Sequence, residues 1–225
     1  RTILLHRQPD DIWRVDYQLG PEETTESALK ETAIRANVEA ILAEIGHDAG
    51  YELEWWSVYT ANTLALDNYR HGRTFFIGDS AHIVPIFGVR GLNNGLADAE
   101  NIAWKLARVL KGEAGNALLD SFAEERRDAT MDVFANATKS MRFMTPPSLG
   151  WRLVRDAALS LALDHEFARP FANPRQMTPF LYAEGSAVLA DDPSFSGGPA
   201  PGNLVPNFAL KERGYLSDKL GLGFV

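Results

Sequence analysis

Arg73-Thr74-Phe75-Phe76-Ile77-Gly78-Asp79-Ser80-Ala81-His82, running on through Pro85 and Gly88 to Gly91-Leu92-Asn93-Asn94-Gly95, decides how the rest of the chain is read. The apolar run at 74–77 predicts a buried strand. Asp79 sets a carboxylate at its C-terminal tip, and the glycines predict a loop that leads into a long helix. A strand ending in a carboxylate and feeding a helix N-terminus suits a ligand with hydroxyls and an anionic end. Taken alone, Asp79 reads better as a turn or N-cap residue. Gly88 and Gly91, however, let backbone approach a ligand, and the helix after Gly91 turns its positive end and N–H groups toward the same crevice. A helix start placed there favours an atom that gains negative charge during a reaction. His82 reads as a structural hydrogen-bonding residue in preference to a general base.

Composition narrows the partners. The 225 residues are 45% hydrophobic and 23% charged, ordinary for a globular protein with a real core. A net charge of -8 with no basic stripe argues against nucleic acid. The absence of cysteine excludes disulfides, thiolate metal sites and a cysteine nucleophile, and fits a reducing, cytoplasmic setting. No apolar run approaches the ~20 residues that span a bilayer, so no membrane partner is expected. No metal is expected.

Outward from the central stretch, residues 2–19 predict a hairpin. Gln8-Pro9-Asp10-Asp11 supplies the turn, and Trp13, Val15, Tyr17 and Leu19 alternate with polar residues. Residues 24–45 predict one helix with Ile34, Val38, Ile41 and Ile45 on a stripe and Gly46 as its stop. Residues 51–62 read as a strand whose phase changes at Trp55-Trp56, and 64–72 as a polar connection. Residues 91–111 predict a helix with Leu92, Leu96, Ala99, Ala103, Leu106 and Leu110 inward. A second helix follows at 117–142, with Glu124-Glu125-Arg126-Arg127 as a solvated charge run and Pro146-Pro147 as its end. A third, at 151–168, has Leu153, Ala157, Leu161 and Phe167 inside. Prolines and Gly197-Gly198 then mark a linker, and 216–225 reads as a strand beginning. Starting at Arg1 and stopping at Phe224-Val225, the chain reads as a fragment cut at both ends.

The run Gly78-Asp79-Ser80-Ala81-His82, then Pro85, Gly91-Leu92-Asn93 and Asp98-Ala99-Glu100-Asn101-Ile102-Ala103-Trp104-Lys105-Leu106 resembles the second FAD signature of the class A flavin-dependent aromatic hydroxylases, the phenol and para-hydroxybenzoate hydroxylase group. The resemblance covers most of residues 1–145 and the tail more loosely. It implies an α+β or α/β fragment: antiparallel substrate-domain strands plus the last strand and long helices of a Rossmann-like FAD domain. Residues 1–70 would be part of the substrate-binding sheet domain, and 71–145 the C-terminal part of the FAD domain. Residues 146–200 would be a helix and linker, and 201–225 the start of a truncated thioredoxin-like domain.

By that resemblance FAD is the cofactor, NADH or NADPH the reductant, and O2 and a small phenolic substrate the partners. A homodimer and an N-terminal segment of the same protein are further partners. The cofactor residues would be Gly78, Asp79, Pro85, Gly88, Gly91, Leu92 and Asn93. Asp79 would meet ribityl or ribose hydroxyls, and the helix start would meet the pyrimidine edge of the flavin. Trp13, Tyr17, Trp55, Ile86 and Phe87 would line the substrate pocket. Two features depart from the pattern. Ile86 stands where the family commonly has proline, which keeps open a same-fold epoxidase, reductase or halogenase. No Gly-x-Gly-x-x-Gly occurs in these residues, so the pyrophosphate half of the site falls outside the sequence, and a non-catalytic structural module stays open.

Overall fold

The alternation from Trp13 onward and the turn chemistry before it produce a two-stranded hairpin: β1 (Ile3–Arg7) pairs antiparallel with β2 (Trp13–Tyr17), Ile3 opposite Tyr17 and Arg7 opposite Trp13. Asp10 and Asp11 take left-handed backbone in the connecting turn, which short polar side chains tolerate. This computed structural model describes residues 3–48, 50–60, 62–84, 90–172, 179–182, 194, 197–211 and 214–220. The chain divides into two units, one of Arg1–Asn62 with Lys139–Asn173, the other of Thr63–Thr138 with Pro174–Val225.

In the first unit, the helix expected over 24–45 is two. α1 (Thr25–Ala28) is a single turn started by a reciprocal Thr24–Ser27 capping box, and α2 (Glu31–Glu44) starts afresh after Lys30 adopts extended backbone. Ile34, Val38 and Ile41 are buried as the period predicts, whereas Ile45 lies past the end and is exposed. Gly46, at φ +70°, stops the helix. Residues 51–60 form no ladder, against expectation. Anchors to helical carbonyls take the place of a partner strand: the Trp56 indole N–H donates to the Leu29 carbonyl at 3.1 Å, and the Tyr51 hydroxyl to that of Arg35 at 3.5 Å.

In the second unit, β3 (Leu64–Ala65), β4 (Arg70–His71), β5 (Thr74–Phe75) and β6 (His82–Ile83) make two antiparallel pairs, β3 with β6 and β4 with β5. The strand expected at 74–77 is thus short. Phe76 instead gives its N–H to the Tyr69 carbonyl, and Ile77 is exposed. Tyr69 sits in the stretch read as a polar connection, yet it is fully buried at the centre of the core with Ala81, Ile102, Leu119, Phe122 and Ala123.

α3 (Gly91–Leu110) and α4 (Ala117–Met144) match the predicted spans, and the unit boundary falls inside α4 after Thr138. Which face of α3 is buried does not match. Leu92, Leu96 and Leu110 are 73%, 60% and 82% exposed, while Asp98 and Lys105 are both 0% exposed. The reason lies on α4, where Glu125 and Arg126 of the expected solvated run turn inward and Glu124 stays exposed. Lys105 Nζ donates to Ser121 Oγ at 2.8 Å and to Glu125 Oε2 at 2.7 Å, and Asn101 Nδ2 donates to the same carboxylate. Burial pulls the Lys105 ammonium below its ordinary range, and Glu125 opposes that shift. Glu125→Ala is expected to destabilise the protein by about 2 kcal/mol, because it strands a buried ammonium, and urea unfolding reads the loss.

Beyond α4 come α5 (Leu149–Asp164) and α6 (Arg169–Ala172). Ser148 caps α5 through its side chain. Here too the expected face is corrected: Leu153, Ala157, Leu161 and Phe167 are exposed, and Ala158 and Ala168 are the buried residues. The presumed strand at 216–225 starts instead with a short helix, α7 (Leu216–Leu220), led by the Asp218 carboxylate accepting from the Tyr215 N–H at 2.7 Å. The architecture is a mixture of helices and short antiparallel strands. Among the described residues no helix is long and apolar enough to cross a membrane.

Candidate functional site

Gly78–Ser80 forms one 3-10 turn between β5 and β6. Ser80 closes it, its hydroxyl donating to the Ile77 carbonyl at 2.7 Å and accepting from the Ile77 N–H at 3.2 Å. Gly78 has φ +56°, which disfavours any side chain. It also seats on α3 glycine to glycine: a Cβ on Gly95 would stand 3.4 Å from the Gly78 Cα. The pair of glycines therefore holds the turn against the second turn of α3. Asp79, the next residue, is exposed.

Beneath the turn lies a buried charge cluster. Asp98 on α3 accepts from the Gly78 N–H at 2.9 Å and from His82 Nε2 at 2.7 Å on one oxygen, and from Arg126 Nε at 2.7 Å on the other. Arg126 in turn donates Nη1–H to the Tyr182 hydroxyl at 2.5 Å. Burial pushes the Asp98 carboxyl up, but the hydrogen bonds from His82, Arg126 and Gly78 outweigh it and hold the group below its ordinary 3.8. Asp98 is therefore the anion, and His82 Nε2 carries the hydrogen between them. His82 is itself buried, an interior hydrogen-bonding residue and not an exposed base.

The sign of the pH effect follows. A folded value below the unfolded one gives stability that is complete above pH 3.8 and is lost as pH falls through the folded value. Acid unfolding is thus expected to steepen below that point. The steep limb should flatten in Asp98→Asn, as circular dichroism against pH would read.

At the N-terminus of α3, Arg90 is the cap residue, and its own side chain makes no capping hydrogen bond. The Arg90 carbonyl accepts from the Asn94 N–H at 2.9 Å, while Leu92 and Asn93 face outward. Partial positive charge at such an end attracts an acceptor or an anion.

Five of the sequence-predicted cofactor residues, Gly78, Asp79, Gly91, Leu92 and Asn93, belong to this one unit, with the turn resting on the helix that Gly91 starts. Pro85, Gly88, Ile86 and Phe87 lie outside the described residues. Trp13, Tyr17 and Trp55 belong to the first unit, where Trp55 is 77% exposed, Trp13 is exposed and Tyr17 is half-buried. Sequence reasoning missed Asp98, Arg126 and Tyr182 as a cluster. A signal existed: Asp98, Asn101, Ile102 and Lys105 repeat at i, i+3, i+4 and i+7, a helical face in their own right. Among the described residues no His, Asp and Glu cluster could hold a metal ion.

Residues 6–137 match the family described as FAD binding domain. The chain is 36% identical over 186 residues, 81% of its length, to a 3-(3-hydroxy-phenyl)propionate/3-hydroxycinnamic acid hydroxylase of Klebsiella pneumoniae, of which it covers 32%. An Escherichia coli protein of the same name is 32% identical over 66% of the chain, which covers 26% of that protein. The chain thus spans about a third or less of the curated relatives it matches. Among solved structures, a ternary complex of aklavinone-11 hydroxylase with FAD and aklavinone aligns over 93% of the chain and 38% of that protein, at 27% identity and a TM-score of 0.62. A p-nitrophenol 4-monooxygenase from Pseudomonas putida aligns over 77% of the chain and 45% of that protein, with a TM-score of 0.62 at 22% identity, a likeness of fold.

Proposed function

The chain belongs to the family of FAD binding domains, and on that premise we propose that it supplies the flavin-facing part of the cofactor site in an aromatic-ring monooxygenase. The observation that carries the proposal is the exposed Asp79 on a glycine-seated turn, set against the helix that Gly91 starts. These groups fit FAD. A carboxylate accepts from ribityl or ribose hydroxyls, and the N–H groups of a first helical turn suit the oxygen and nitrogen acceptors of the pyrimidine edge. Asp79 would hold the hydroxyls, and backbone at Gly91, Leu92 and Asn93 would meet the ring. Pro85 and Gly88 would shape the intervening loop. The segment would then be the closing part of a Rossmann-like FAD domain, the pyrophosphate being held by sequence outside these 225 residues.

Bound FAD would supply redox chemistry that no side chain of this protein can: electrons from NADH or NADPH would pass to O2, one oxygen atom going to the aromatic ring and the other to water. What the chain contributes is placement and charge. The α3 dipole steadies negative charge at the ring edge, and the buried Asp98 cluster keeps the Gly78–Ser80 turn in register. The names of the relatives point to phenolic substrates. The test is steady-state NAD(P)H oxidation by the full-length protein with 3-(3-hydroxyphenyl)propionate as probe. Stimulated oxidation with a product heavier by one oxygen atom is expected, and stimulated oxidation that yields only hydrogen peroxide contradicts ring hydroxylation. Ile86, in place of the family's usual proline, favours as second reading a same-fold flavoprotein with other chemistry, and the peroxide-only outcome would bring it forward.

A further inference from the structure

Arg126 makes its two short side-chain bonds in opposite directions. Nε donates at 2.7 Å to Asp98, which holds the cofactor turn through the Gly78 N–H and His82. Nη1 donates at 2.5 Å to the hydroxyl of Tyr182, in the proline-rich stretch after the helices. A third contact, Nη2 to the Asn94 carbonyl, is long at 3.5 Å and adds little. Tyr182 is fixed in turn: its N–H donates to the Gly202 carbonyl at 3.1 Å, and its ring meets Phe180 edge-to-face with centroids 4.9 Å apart. Arg126 and Asp98 are both buried, so the bond between them does not compete with water, while the bond to the half-buried Tyr182 is partly shielded from it.

We infer that Tyr182, Arg126 and Asp98 form a positioning relay through which the segment at 179–182 sets the Gly78–Ser80 turn, and with it Asp79. This rests on the reading of Asp79 as a cofactor residue. Loss of the Tyr182 hydroxyl leaves a buried guanidinium N–H without its acceptor. The guanidinium then settles toward another partner, Asp98 follows it, and the bond to the Gly78 N–H loosens. Asp79 adjoins Gly78, so its carboxylate moves off the line to its ligand, and a misplacement well under an ångström weakens a charge-assisted hydrogen bond. By linkage, a ligand that holds Asp79 strengthens the docking of Tyr182 to the same extent.

The test is a double-mutant cycle on the full-length protein, with FAD affinity read by flavin fluorescence. Tyr182→Phe keeps the ring and its packing, so the fold is retained. It is expected to raise the Kd roughly three- to tenfold, the scale of one ordinary hydrogen bond, since the loss reaches Asp79 only through the relay. In an Asp79→Ala background the same change should add less than about twofold, because the carboxylate that the relay positions is gone. An unchanged Kd for Tyr182→Phe, or an equal multiplicative loss in both backgrounds, overturns the relay and leaves the cofactor reading standing. An unchanged Kd for Asp79→Ala overturns the cofactor reading and the relay with it.

Discussion

Asp98→Ala is expected to cost about 4 kcal/mol of folding stability. The carboxylate is fully buried and serves three donors: the Arg126 guanidinium, His82 Nε2 and the Gly78 N–H. Removing it does not merely delete three bonds. It leaves a buried positive charge whose remaining short acceptor is the Tyr182 hydroxyl, and an unpaired backbone N–H under the turn. A domain has about 5–15 kcal/mol in total, so such a loss approaches unfolding at body temperature. Urea titration followed by circular dichroism checks it. Asp98→Asn, which keeps one acceptor oxygen, should fall between the two and gives a folded reference if the alanine variant does not accumulate. A loss under about 1 kcal/mol for Asp98→Ala would mean that water or another group replaces the carboxylate at little cost.

The contrast between Asp98 and Leu92 shows where sequence reading succeeded and where it failed. Period and breakers were enough to place the hairpin, the Gly46 stop, and the spans of α3 and α4, since each depends on residues within one turn or one strand of each other. Which face of α3 turns inward depends on Arg126, Glu125 and Ser121, some 16 to 28 residues further along the chain. A hydrophobicity count sees Leu92, Leu96 and Leu110 and cannot see that Asp98 and Lys105 have buried counterions. Tyr69 was lost for a related reason, one aromatic among Asp67, Asn68, Arg70 and His71, with its burial set by Phe122 and Ile102. The candidate site was more legible than the core around it. Gly78 and Asp79 are marked by backbone need and by chemistry, and both requirements are local: a left-handed φ at Gly78, and an exposed carboxylate next to it on the same 3-10 turn.

Asp79→Ala is the second large effect. In the full-length protein it is expected to raise the Kd for FAD about a hundredfold, with stability unchanged within about 0.5 kcal/mol. The asymmetry follows from the geometry, since Asp79 is exposed and its carboxylate is not part of the buried cluster. Two hydrogen bonds from sugar-like hydroxyls to an ionised carboxylate, at about 1.5 kcal/mol each, give that factor. Asp98→Ala, in contrast, should lower stability and affinity together. Flavin fluorescence titration and urea unfolding on both variants separate the two roles, and a joint loss for Asp79→Ala would make it a structural residue.

The central claim is that the exposed carboxylate on the Gly78–Ser80 turn and the N-terminus of α3 meet the flavin end of one FAD molecule. A crystal structure of the full-length protein grown with FAD tests it most directly. The expected result places an Asp79 oxygen about 2.7 Å from a ribityl or ribose hydroxyl, and the first N–H groups of α3 toward the pyrimidine edge of the ring. FAD bound with Asp79 still facing solvent, and with another element at the pyrimidine edge, would contradict it.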